Sequence, residues 1–300
     1  MFTIYGLNID QYYPFLKYLS SEHDVDVYVD TQAYHDNGKK KIYLQIEPFA
    51  IYDIRDHLVR NKSRYDAIVC HDGSFVEEKG VSYCPAATWI DPGYYKSVDL
   101  SKKRFQISHM AGYKYSTKGH TLRKDIYMRQ KELVGVPLTC YRSWVAPQLP
   151  SLNDNPFIPE VSTTCTDHSG LSRTAKVVLF TEYQFSIIVE NTKESNYFSE
   201  KLIDCLLMKT IPIYWGCPTV SKWFDTTGWI CIESNTIEEV MLELQSRVAT
   251  LDHSHYARFA SAVEDNYRRA LQLCDMGKNI ARGFSSIPFL RVATDADGRI

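Results

Sequence analysis

Four short apolar runs punctuate the first seventy residues. They are FTIY at 2–5, VDVYV at 25–29, IYLQI at 42–46 and DAIVC at 66–70. Each has the length of a strand and is rich in β-branched or aromatic residues. Segments with helical spacing lie between them; Ile51, Ile54 and Leu58 share one face of a helix expected over 51–60. Strands that alternate with helices argue for a parallel sheet, so the chain reads as α/β.

A second set of elements begins near residue 104. RFQISHM reads as a strand, and HTLRKDIYMRQKEL as a helix after a Lys/Gly-containing loop. Residues 146–175 are rich in Pro, Ser, Thr, Asn and Asp. They read as a long loop, either a flap over a site or an insertion. Further strands are expected at KVVLF, FSIIVE, IPIYW and WICI, with helices over 199–209 and 236–249. Thr236 and Glu239 have the spacing of a capping box. One long helix is expected over 254–282, ending near Gly283. The chain divides on this reading into 1–100, 101–285 and a tail, 286–300: two Rossmann-like domains facing a cleft. Ligands of such sheets bind beyond the carboxyl ends of the strands.

A chain of 300 residues is long enough to bury two cores. Its net charge of -2 gives no electrostatic reason to expect nucleic acid or an anionic membrane as partner. Eight cysteines occur, none at C-x-x-C spacing, so buried reduced thiols are expected rather than zinc or a redox pair. The N-terminal stretch lacks a basic segment followed by an apolar one, and no run of about 18 apolar residues occurs. A soluble, cytoplasmic chain with no membrane segment is therefore expected.

The segment VENTKESNYFSEKLIDCLLMKTIPIYWGCPTV, Val189 to Val220, carries more polarity than a core requires. A buried strand ends in Glu190 and Asn191. Ser199 has the character of an N-cap, and Glu200 suits the first helical turn. Lys201 does not, because a cation there opposes the helix dipole. An anion bound at the helix N-terminus would resolve the conflict, and phosphate is the obvious candidate. A capped helix with Lys201 in solvent is the plainer alternative.

This segment resembles the signature of glycosyltransferase family 10, the α-1,3/4-fucosyltransferases. Glu190, Asn191, Tyr197, Ser199, Glu200, Lys201, Pro212, Tyr214, Gly216, Pro218 and Val220 match at fixed spacing. The close resemblance covers roughly 176–232. A weaker one reaches back to 104 through TKGHTLR, and the first hundred residues match in outline only. The resemblance implies a GT-B fold, GDP-fucose as donor, a glycan acceptor and inversion at the sugar carbon. It places Asn191, Tyr197, Glu200 and Lys201 on the donor, with Glu200 on ribose and Lys201 on phosphate. It also places Arg123 at the diphosphate; His120, in the loop before Arg123, is a further candidate for contact with the donor phosphate. Two cations and a helix end would stabilise the leaving group, so no metal or other cofactor is expected. A carboxylate base is expected from the first domain: Glu47 at the end of IYLQI, or Asp72 after the next strand. Two other readings stay open: a different nucleotide sugar such as a UDP-sugar, and a catalytically silent glycan-binding protein.

Three features point elsewhere and are set aside. Asp24 and Asp26 form an Asp-x-Asp pair that is expected to face solvent from a strand. DADG at 295–298 lacks the remaining ligands of a calcium loop. His71, Asp72 and Ser74 are neighbours in sequence, which does not make a triad.

Overall fold

The computed structural model describes residues 1–6, 13–75, 80–112, 114–143, 149, 157–158 and 175–293. Most of the 146–175 segment and all of 295–298 lie outside the described residues. The first part of the chain runs β1 (Phe2–Gly6), β2 (Leu19–Ser20), β3 (Val25–Val29), β4 (Lys40–Leu44), α1 (Arg55–Asn61), β5 (Ala67–Cys70), β6 (Gly80–Ser82) and α2 (Pro92–Tyr95). The second runs β7 (Arg104–Ala111), α3 (Lys118–Met128), β8 (Leu138–Ser143), β9 (Phe157–Ile158), β10 (Tyr183–Val189), α4 (Glu200–Leu207), β11 (Ile211–Trp215) and β12 (Ile230–Cys231). The chain then continues through α5 (Ile237–Val248), α6 (His255–Arg258), α7 (Ala260–Leu273), α8 (Met276–Phe284) and β13 (Arg291–Val292).

Among the described residues two parallel sheets result, as the alternation of strands and helices requires, beside a two-stranded β13-β2 pair. One is five-stranded in the order β1-β3-β4-β5-β6, and every pairing is parallel. The other is six-stranded, β12-β11-β10-β7-β8-β9, and is also parallel throughout. Counted from β7, the second sheet has the 3-2-1-4-5-6 order of a doubly wound fold. Its strand order reverses between β7 and β10, where a crevice opens at the carboxyl ends. Sequence reasoning missed the six-residue β8 and the shorter β2, β6, β9 and β13.

Each sheet has its own core. Val25, Val27, Val29, Ile42, Leu44 and Val69 of the first sheet pack against Ile280 and Phe284 of α8. The chain therefore returns to the first sheet after finishing the second. Gly283 makes the approach close, since a Cβ there would lie 2.9 Å from Val69. Beyond α8, Ile287 and Leu290 are buried, and β13 pairs antiparallel with β2. The second core is larger and collects β10, β11, α4 and α5 side chains around Phe185, Leu202 and Ile213.

Several local expectations are corrected. The long helix at 254–282 is three helices, because Asp275 caps a new start by accepting the Lys278 N–H at 3.0 Å. The break lets α8 turn its apolar face to the other sheet. KVVLF is not a strand but a 3-10 turn over Ala175–Leu179; so short an apolar run has no period that separates the two. The helix expected over 51–60 starts only at Arg55. Asp26 does not face solvent: it is fully buried, accepting from Asn37 Nδ2 at 2.7 Å and pairing with Lys39 at 3.4 Å. The β3–β4 loop folds over it and supplies both partners.

The capping box at Thr236 and Glu239 forms as the spacing predicts. Cys70, Cys84, Cys140, Cys205, Cys217, Cys231 and Cys274 are free thiols. Among the described residues no helix is long and apolar enough to cross a membrane.

If α8 belongs to the core of the first sheet, Phe284→Ala should lower the unfolding free energy by about 3–5 kcal/mol. Urea denaturation measures this. A loss below about 1 kcal/mol would show that α8 only rests on the sheet surface.

Candidate active site

The site begins where β10 runs out. Glu190 is completely buried, and Ser199 binds both of its carboxylate oxygens. The Ser199 N–H donates to Oε1 at 3.0 Å and the hydroxyl to Oε2 at 2.6 Å. The same hydroxyl oxygen caps α4 by accepting the Lys201 N–H at 3.4 Å, and lies 3.0 Å from Lys201 Nζ. Burial pushes the Glu190 carboxyl up, and Lys201 and Ser199 pull it back. The strand end and the helix start are thus one hydrogen-bonded unit.

Two glycines allow this packing. A Cβ on Gly119 would fall 1.7 Å from the Glu190 carbonyl oxygen, so only glycine lets the start of α3 reach β10. The Gly119 N–H then donates to the Asn191 carbonyl at 3.0 Å. A Cβ on Gly216 would sit 2.6 Å from Glu190 Cγ. Gly119 lies within TKGH, so the sequence carried this signal, but its meaning depends on a strand seventy residues away.

The cations converge here. Arg123 is buried rather than solvated. Its guanidinium donates to the Val189 carbonyl at 2.6 Å and to Asn191 Oδ1 at 3.2 Å. His120, also buried, has Nδ1 2.8 Å from the Thr117 hydroxyl. Burial, followed by Arg123, Lys201 and Lys114, pushes its imidazole down to about 3, so the ring is neutral. Lys201 Nζ donates to Glu200 Oε1 at 3.2 Å, and Lys176 Nζ lies 4.0 Å from the same oxygen. Burial opposes the Glu200 charge, yet Lys201, Lys176 and hydrogen bonds from Lys201 and Ser199 hold its carboxyl at about 2. Tyr197 is buried, its ring 5.3 Å from that of His71, and burial keeps its phenol protonated.

The opposite wall belongs to the first sheet. The chain leaves β4 through Gln45 and Ile46 to Glu47, which is partly buried. Burial raises the Glu47 carboxyl; Lys201 and Lys114 lower it, and Glu200 raises it. These charges come from the segments after β7 and β10, and the Phe49 and Ala50 N–H groups, just beyond Glu47, donate to Glu194 of the segment after β10 at 3.4 Å. The structure therefore gathers Glu47, His120, Arg123, Asn191, Tyr197, Glu200 and Lys201. Asp72 adjoins His71, whose ring lies 5.3 Å from that of Tyr197. It is ion-paired with Arg55 and accepts the Ser74 N–H at 2.9 Å. Burial works against its charge, but these partners outweigh it and keep its carboxyl low. With Arg55, His71, Glu194 and Ser195 it lines a cavity of about 240 Å³.

Sequence reasoning missed Glu194, which joins the two walls. It accepts from His71 Nε2 at 2.8 Å and from the Phe49 and Ala50 N–H groups at 3.4 Å. Nothing in the local sequence separates it from a solvated loop carboxylate. Among the described residues no group of three or more His, Cys, Asp or Glu is placed to hold a metal.

Comparison with known proteins bears on the family and the fold. Residues 156–280 match the family model of glycosyltransferase family 10 (fucosyltransferase), C-terminal part. An α-(1,3)-fucosyltransferase of Helicobacter pylori is 43% identical over 49 residues, covering 16% of this chain and 10% of that protein. An α-(1,3)-fucosyltransferase of Drosophila melanogaster is 45% identical over 42 residues, covering 14% and 10%. Each alignment spans only about a tenth of the relative's length. Among solved structures, a UDP-forming α,α-trehalose-phosphate synthase from Burkholderia xenovorans superposes with a TM-score of 0.51 at 10% identity, covering 88% of this chain and 74% of that one. At that identity the likeness is one of fold, and the fold is GT-B.

Because Gly119 has no room for a Cβ, Gly119→Ala should cost about 1–3 kcal/mol by overpacking. Gly112→Ala, where a Cβ would meet nothing within 4 Å, serves as control. Equal denaturation midpoints for the two variants would contradict the close docking of α3 on β10.

Proposed function

We propose that this chain, with its glycosyltransferase family 10 segment at residues 156–280, is an inverting glycosyltransferase that moves fucose from GDP-fucose to a glycan hydroxyl. One observation carries the reading. The strand end that bears Glu47 is tied to the segment after β10, whose Glu194 accepts the Phe49 and Ala50 N–H groups at 3.4 Å, and that segment leads directly into the Lys201 end of α4. The reading puts a base and a leaving-group site on opposite walls of one cleft. On this reading the first sheet, with α8 packed on it, presents the acceptor, and the second sheet holds the donor.

The residues divide the reaction between them. Glu47 takes the proton of the acceptor hydroxyl as the oxygen bonds to the anomeric carbon. The bond from that carbon to the phosphate oxygen breaks on the opposite face, and GDP departs with its electron pair. Lys201, the N–H groups at the start of α4, and the side of the Arg123 fork not engaged by Val189 and Asn191 meet the growing negative charge. No metal is assigned a part, because these fixed cations supply the same stabilisation. Glu200, held ionised at about 2, is an acceptor for ribose hydroxyls. Tyr197 and Asn191 complete the donor wall.

Glu47→Gln should reduce GDP release from GDP-fucose by about 10²–10⁴-fold. Its affinity for GDP, measured by calorimetry, should stay close to that of the parent protein. Full turnover would remove Glu47 as base. Lys201→Ala should weaken GDP by about 10–100-fold, the loss of one charge-assisted hydrogen bond; unchanged affinity would remove the phosphate site. The sign of the pH dependence follows from the raised Glu47 carboxyl. The base is ionised only above its raised pKa, so kcat should fall as pH drops through a midpoint above the ordinary glutamate value of 4.5. A midpoint at or below that value would contradict the assignment.

A further inference from the structure

At the end of β3 the chain passes through Asp30 with φ of +45°, in the left-handed region. Aspartate tolerates that conformation better than most residues other than glycine. The side chain uses it. Asp30 is 5% exposed, and each of its carboxylate oxygens accepts one peptide N–H from the neighbouring strand end. Oδ1 accepts from Ile46 at 3.0 Å and Oδ2 from Glu47 at 2.9 Å. Its own N–H donates to the Leu44 carbonyl at 3.1 Å. A single buried side chain therefore holds the backbone on which Glu47 stands, from both peptide groups leading into it.

We propose that Asp30 is a positioning residue for the reaction: its carboxylate fixes the Ile46–Glu47 backbone, and its ionisation tunes how strongly Glu47 draws a proton. The proposal rests on the reading of Glu47 as the base. The buried Asp30 carboxyl binds the N–H of Glu47 itself, so the two carboxyls are expected to titrate as a pair. Burial pushes the Asp30 carboxyl up to about 7; the Glu47 and Ile46 N–H groups pull it down, and the Glu47 charge pushes it further up. Lys201, Glu200 and Lys114 act on Glu47 from the second domain. Tyr43, Tyr52 and the Cys70 thiol face Asp30 from the first, and burial raises all three. The pair thus carries the local titration. Once both carboxyls are ionised, the Asp30 charge makes the Glu47 carboxylate a stronger proton acceptor.

Asp30→Asn tests this. The amide oxygen accepts one N–H, while its NH₂ faces the other and repels it. In protein labelled with ¹³C at glutamate carboxyls, the Glu47 resonance is the one missing from Glu47→Gln. In the parent protein that resonance should titrate in two steps, and in Asp30→Asn in one. With water as acceptor, kcat for GDP release from GDP-fucose should fall about tenfold or more in Asp30→Asn, as the base loses its fixed aim. GDP affinity should not change, since the nucleotide wall lies on the other sheet. If Asp30→Asn fails to bind GDP or to unfold cooperatively, Asp30→Ser provides the same comparison, its hydroxyl oxygen accepting one N–H. An identical Glu47 titration in parent and variant would overturn the proposal. So would an undiminished kcat in Asp30→Asn alongside lost turnover in Glu47→Gln, which leaves the base in place and removes Asp30 alone. Full turnover in Glu47→Gln would instead take away the base reading, and with it this role for Asp30.

Discussion

A fully buried carboxylate joined to a helix cap organises the second domain. Glu190 receives both the N–H and the hydroxyl of Ser199, and that hydroxyl also caps α4. Leaving a buried carboxyl without its hydrogen-bond donors costs about 1–3 kcal/mol, and more when it is charged. The strand end, the loop over 192–198 and the first turn of α4 therefore cannot move independently. Arg123 extends the unit to α3 by gripping the Val189 carbonyl and Asn191, and Gly119 lets that helix come close enough to do so. The cations held at this point are the ones a departing diphosphate would meet. They are prearranged by contacts that exist without it, which is the condition for effective electrostatic stabilisation.

The location follows from topology. In a sheet ordered 3-2-1-4-5-6, the helices after β7 and β10 depart to opposite faces and leave a crevice between the strand ends. His120 and Arg123 come from the helix after β7, and Asn191, Glu200 and Lys201 from the segment after β10. The first sheet closes the crevice from across the cleft with Glu47. Two features hold that sheet in place: α8 returns to it from the end of the second domain, and Glu194 reaches over to His71 and the Phe49–Ala50 backbone.

Much of this was legible in the sequence, unevenly. β3, β4, β5, β10 and β11 are short runs of β-branched and aromatic residues, and they formed within a residue or two of the expected bounds. The conflict between Lys201 and the helix dipole was visible in the sequence, and in the structure it is met by carboxylates of the chain itself, Nζ lying 3.2 Å from Glu200 and 3.9 Å from Glu190. What failed depended on distant partners. Asp26 looks solvent-facing in an alternating strand, but a loop folds back to bury it. KVVLF has strand composition and becomes a turn. The break before α8 rests on a single capping aspartate. Glu194 and Asp30 are ordinary loop carboxylates in sequence, and they acquire meaning only from backbone N–H groups brought to them by the fold.

The central claim is a nucleoside diphosphate site at the end of β10, and calorimetric titration with GDP, UDP, ADP and CMP in the presence of EDTA tests it most directly. The account predicts selective binding of GDP without added metal. A preference for UDP would keep the fold and the phosphate contacts but contradict the fucose donor, and the absence of binding by all four would contradict the site itself.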